Sequence, residues 1–201
     1  MPAPLQVLNL FSGIGGFELG IQLACDRLNL PYGIVGLCEK DTYCREVLGV
    51  RFPGVPIFDD ATSLTRQSLQ AARITHVDIL TASPPCQPFS KASSKRKGSA
   101  DDRNLFPHVI RLMEEIEPKL VIIENVQGLL SVQKGEYFKD ILNQIAQVGY
   151  DAIWQTISCA QLQGVHRRNR LFIVAYPNKG TKIPSQKNFT TQRSEAFFLQ
   201  S

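Results

Sequence analysis

Seven apolar runs of strand length, separated by segments of helical periodicity, leave this 201-residue chain few architectures. The runs are QVLNLF (6–11), YGIVGLC (32–38), VPIF (55–58), HVDILTA (76–82), KLVIIEN (119–125), AIWQTIS (152–158) and RLFIVAY (170–176). Several are continuously apolar rather than alternating, the pattern of strands covered on both faces. Between them, residues 16–28, 41–50, 105–116 and 136–148 repeat their apolar side chains at helical spacing. Strands and helices in alternation predict an α/β fold, a mostly parallel seven-stranded sheet with helices on both faces. The compact domain is expected over residues 1–176. Residues 177–201 are polar and aperiodic until AFFLQ near the end, and read as a tail or linker.

A chain of this length buries enough surface to fold without disulfides or a structural metal. Its five cysteines (25, 38, 44, 86 and 159) form no Cys-x-x-Cys pair and no zinc-ligand spacing with the three histidines, so no metal is expected. An odd number of scattered cysteines without a signal peptide points to a reducing cytoplasm. The apolar runs fall far short of the ~18 residues of a membrane helix, so no membrane partner is expected. A net charge of +4 is compatible with a polyanionic partner and does not establish one.

The first strand leads into LNLFSGIGGFELG, which places Gly13, Gly15 and Gly16 between a strand and a helix. Glycines there let backbone approach a ligand while helix amides point at it. Glu39 closes the second strand and Asp60 follows the third. Each alone is most often a cap or a solvated loop charge. At successive strand ends they outline an adenosine-containing cofactor: a ribose on Glu39, an adenine amino group on Asp60. These features leave NAD and S-adenosylmethionine both open.

The fourth strand ends in SPPCQPFS, where two prolines stiffen the backbone just before Cys86. A free cysteine is commonly buried filler. Here the neighbours are Gln87 and Ser90, and the KASSKRK run beyond supplies positive potential that favours the thiolate. Cys86 is therefore the expected nucleophile. Glu124, at the end of the apolar strand IIEN, is expected to be partly desolvated with a raised pKa. Alternation at the start of the last strand sends Arg168 and Arg170 to one side, with Arg167 beside them. All these groups fall on the carboxyl edge of the sheet, where open α/β sheets bind ligands.

In that order, NLFSGIGGFELG, CEKD, SPPCQPFS, IIENV and HRRNRLFIVA resemble the DNA cytosine-5 methyltransferases, over residues 5 to 176. The resemblance implies a Rossmann-like fold, S-adenosylmethionine as cofactor, and methyl transfer to carbon 5 of a cytosine flipped out of DNA. It implies a covalent adduct of Cys86, with Glu124 at the ring nitrogen, Arg170 on the base carbonyl and Arg168 near the cysteine. Phe11, Ser12, Gly13, Gly15, Gly16, Glu39, Lys40, Asp60 and Pro85 would face the cofactor. Gln87, Ser90, Lys91, Lys95, Arg96, Lys97, Arg103 and Arg167 would face DNA, and Asn125, grouped with them, would also hold the local turn.

Three departures stand out: Lys40 where the family often has an aromatic or aliphatic residue, Asn9 for a frequent Asp, and a shortened GVHRRNR. Family enzymes continue into a target-recognition region and a last motif, for which the residues after Tyr176 do not suffice. A second polypeptide supplying that region is one expectation. The alternative is a non-catalytic cofactor- or DNA-binding module derived from such an enzyme. A bacterial or phage cytoplasmic setting is expected, or a nuclear one in a eukaryote.

Overall fold

The structure is a computed structural model and describes residues 3–85 and 104–178. Seven strands form one sheet: β1 (Leu5–Leu10), β2 (Tyr32–Cys38), β3 (Ile57–Phe58), β4 (Ile79–Ala82), β5 (Leu120–Val126), β6 (Tyr150–Ser158) and β7 (Asn169–Pro177). Five helices alternate with them: α1 (Gly16–Leu28), α2 (Thr42–Arg51), α3 (Arg66–Ala71), α4 (Phe106–Ile116) and α5 (Glu136–Gln147). The strand order is β3-β2-β1-β4-β5-β7-β6. The pairings from β3 across to β5 are parallel, while β7 runs antiparallel to both β5 and β6.

The expected seven-stranded, mostly parallel sheet is present, and its edges shift by a few residues. The third strand shrinks to Ile57–Phe58, and α3 is a short helix that the apolar pattern does not announce. Its start is fixed instead by a capping box between Thr65 and Ser68, in which each side chain bonds the other's backbone amide.

Neighbouring residues of β1 face opposite sides. Leu8 and Leu10 join the larger core with Leu69 of α3, Met113 of α4 and Ile141 of α5. Val7 packs on the other face with Ile21 and Cys25 of α1 and Ile79 of β4. Helices therefore cover both faces of the sheet centre. At Gly36 a Cβ would lie 2.9 Å from a Leu8 methyl and 3.1 Å from one of Ile74, so glycine permits the close packing there.

Continuous burial holds for the last four residues of β1 and for β4 but not for β5, whose Val121, Ile123 and Asn125 are buried while the alternate residues are half-buried. The register carries this open face across the sheet, pairing Ile122 with Val174 and Val174 with Ile153, which is 54% exposed. Expecting two-sided cover from an apolar run thus succeeds in the middle of the sheet and holds only in part at β5, whose Leu120 and Ile122 are half-buried against the smaller core.

Candidate active site

The carboxyl edge of the parallel strands carries the groups of interest. After β1, Phe11 takes a left-handed backbone (φ 59) and the glycine turn follows. Gly15 has φ 94, and a Cβ there would meet the Phe52 ring at 2.8 Å, so glycine is required at that corner for both reasons. The Gly13 amide donates to Glu39 Oε2 (2.8 Å) and the Asp41 amide to Glu39 Oε1 (2.9 Å). The ends of β1 and β2 are thereby clamped together by one carboxylate.

A cavity of about 270 Å³ opens beside this clamp. Of the residues expected to face a cofactor, Phe11, Glu39, Lys40, Asp60 and Pro85 line it. Ser12 is buried, its hydroxyl donating to the Asn9 carbonyl, and it shapes the turn from beneath. Thr62, Ser83 and Leu105 also line the cavity. Ser83 could have been found by its place immediately before the two prolines; Leu105 carries no local signal. Cys38 lies in the wall as well, and burial pushes its thiol up to about 12, too high for a nucleophile at neutral pH.

Asp60 accepts the Thr62 amide (2.8 Å) on one oxygen and Lys40 Nζ (3.1 Å) on the other. The Thr62 amide is the main cause that holds its carboxyl below the ordinary range.

On the other side of Ser83 lies the second constellation. Glu124, at the end of β5, receives Arg170 Nε from the start of β7 at 2.5 Å, and each side chain is 23% exposed. Burial raises the Glu124 carboxyl above its ordinary value, opposed by the charge of Arg168 and a hydrogen bond from Ser83. Both arginines thus act on this one carboxyl. Arg168 and Arg167 are themselves exposed.

Asn125 departs from its grouping with the DNA-facing residues. It is 3% exposed, its Nδ2 donates to the Pro84 carbonyl (3.1 Å), and its Oδ1 accepts the Val126 amide (2.9 Å). A residue this buried holds the proline corner from behind and presents nothing to a duplex. Cys86, Gln87, Ser90, Lys91, Lys95, Arg96, Lys97 and Arg103 lie outside the described residues.

The sequence profile of the C-5 cytosine-specific DNA methylases matches residues 5–197. The chain belongs to that family. Among its relatives, the type II methyltransferase M.NgoMIV of Neisseria gonorrhoeae is 32% identical over 176 residues, 88% of this methylase chain and 53% of the relative. M.AquIA of Picosynechococcus is 30% identical over 182 residues, covering 84% of the chain and 71% of that shorter relative. The crystal structure of S. pombe Dnmt2 methyltransferase superposes with a TM-score of 0.63 at 25% identity, over 89% of this chain and 51% of the other. The methylase chain spans about half the length of most of these proteins. Among the described residues, no helix is long and apolar enough to cross a membrane.

Proposed function

We propose that this chain is the catalytic part of a DNA cytosine-5 methyltransferase that takes its methyl group from S-adenosylmethionine. The observation that carries the reading is the Glu124–Arg170 pair, set on the carboxyl edge beside Ser83 and next in the strand to Asn125, which holds the Pro84 carbonyl. Family membership supplies the reaction class.

The cavity suits the cofactor. After accepting two backbone amides, the Glu39 carboxylate keeps acceptor capacity for ribose hydroxyls. Asp60 offers an ionised oxygen to an adenine amino group, between the apolar walls of Phe11 and Pro85. Bound there, S-adenosylmethionine supplies an electrophilic methyl group.

The protein's own groups do the rest. With a cytosine flipped out of the duplex, the Cys86 thiolate adds to carbon 6, and the ring electrons become available at carbon 5. Arg170 turns from Glu124 to the base carbonyl as Glu124 meets ring nitrogen 3. Freed of its guanidinium, the half-buried carboxyl feels burial more fully, which favours its protonated form as a donor to the adduct. A water then takes the carbon-5 proton, the carbon 5–carbon 6 double bond re-forms, and Cys86 leaves as the thiolate, releasing the methylated base. Asn125 keeps the Pro84 carbonyl fixed and so aims the thiol.

Gln87, Ser90, Lys91, Lys95, Arg96, Lys97 and Arg103, with Arg167, are assigned to contact with the DNA around the flipped nucleotide. Sequence recognition by the whole protein is assigned to polypeptide that corresponds to the relatives' other half, supplied in the same chain or by a second one. Duplex DNA bearing 5-fluorocytosine tests the reading, because the adduct cannot lose fluorine and persists. A covalent complex that needs cofactor and disappears in Cys86→Ser supports it. No adduct, with the chain alone and with the complementing half added, refutes it.

A further inference from the structure

Among the described residues Lys40 pairs with Asp60, the residue assigned above to adenine. Its position is fixed from below, since Arg45 Nη1 donates to the carbonyls of both Glu39 and Lys40 and Nη2 to the Thr42 hydroxyl. From that turn the side chain reaches along the cavity wall, and its Nζ lies 3.1 Å from Asp60 Oδ2. The other Asp60 oxygen already holds the Thr62 amide. The ammonium therefore sits on the Asp60 oxygen that an exocyclic amine would address. Lys40 is 82% exposed, so the contact is weak and water stands ready to receive the ammonium when it leaves.

We propose that the Lys40–Asp60 ion pair is a latch across the adenine end of the cavity, which the ligand's amino group displaces on binding. This rests on the cofactor reading given above. The latch taxes affinity: binding must first break an ion pair that the ligand-free protein keeps. An exposed pair of this kind corresponds to about a two- to fivefold change in Kd. It also imposes an unusual salt dependence. S-adenosylhomocysteine carries no net charge at neutral pH, so salt acts mainly by screening the pair and should tighten binding.

The experiment is calorimetric titration of the 201-residue chain and its Lys40→Leu variant with S-adenosylhomocysteine, at low and high sodium chloride. The expected result is about two- to fivefold tighter binding by Lys40→Leu, with the salt-induced tightening present only in the wild type. A second readout is the rate at which an amine acylating reagent modifies Lys40, which should rise when the ligand is bound. Equal or weaker binding by Lys40→Leu, or protection of Lys40 by the ligand, overturns the latch while leaving the cofactor site standing. Binding by neither protein at either salt overturns the cofactor reading itself, and the latch with it.

Discussion

Asp78 sits at the foot of β4, on the edge of the sheet opposite the candidate site, and replacing it with asparagine should cost stability in a pH-dependent way. Its side chain is 4% exposed. It accepts Lys119 Nζ at 2.7 Å, His76 Nε2 at 2.9 Å and the Gln6 amide at 2.8 Å, joining the starts of β4, β5 and β1. Burial pushes the carboxyl up, but those three donors outweigh it and bring it from an ordinary 3.8 down to about 2. A shift of nearly two units corresponds to about 2 kcal/mol of stability held by the ionised form. Because the folded pKa is the lower one, that stability is present above about pH 4 and is lost as the pH falls toward 2. Urea unfolding of wild type and Asp78→Asn from pH 7 to pH 2 measures it directly. The two curves should stand about 2 kcal/mol apart at neutral pH and converge in acid, since asparagine keeps the shape and an acceptor but has no proton to exchange. Curves that stay parallel through that window would show that the donors contribute no charge-dependent stability, and the reasoning would fail.

Three other outcomes are expected. Gly15→Ala should lose about 1–3 kcal/mol, because it combines a positive φ with a 2.8 Å approach to Phe52; equal stability by thermal melting would remove the case for a required glycine. Glu124→Gln keeps an acceptor for Arg170 but has no proton to give, so its midpoint in urea should move little while the rate of adduct formation drops by about a hundredfold or more; a rate within a few-fold of wild type would take Glu124 out of the chemistry. Asn125→Ala leaves the Pro84 carbonyl without its donor in a buried place, costing about 1–3 kcal/mol; the same substitution should slow adduct formation without changing the pH profile, as befits a group that aims rather than reacts.

Much of the frame is legible because the strands announce themselves in two ways at once. Val7, Leu8 and Leu10 are apolar and buried on the two faces of β1, and the carboxylates that close the runs, Glu39 and Glu124, stand just where strands end. Backbone direction is harder. Nothing in RLFIVAY distinguishes an antiparallel strand from a parallel one, since the reversal of β7 is set by its insertion between β5 and β6 rather than by its own side chains. The α3 helix escapes notice because six residues hold less than two helical turns, too few for periodicity to appear. At the site, Glu124 and Arg170 are separately conspicuous, but their pairing is a product of register: Val126 faces Arg170, which leaves Glu124 one diagonal step away on the same face. Asn125 divides its two expectations: a strand turns successive side chains to opposite faces, so it is buried away from Glu124, where it holds the turn at Pro84 and is not free to meet a duplex.

The two edges of the sheet show how this architecture divides stability from chemistry. Asp78 and Glu124 both lie partly or wholly out of water at strand ends, and burial pushes both carboxyls the same way. They part company through their donors. Asp78 collects a lysine, a histidine and a backbone amide, which lock it as an anion and tie three strands together. Glu124 retains a raised pKa because burial outweighs what Arg168 and Ser83 contribute, and its contact with Arg170 is one that a planar base could divide between the two partners. A carboxyl satisfied as fully as Asp78 could give no proton near neutral pH, and one as exposed as a surface glutamate would have little reason to hold one. The open α/β sheet provides both environments by construction, since its strands bring their apolar flanks to each edge and leave the loops to decide how many donors wait there. In the proposed mechanism the reactivity of Glu124 therefore rests on burial that its donors do not cancel, on the same frame where the donors of Asp78 more than cancel it.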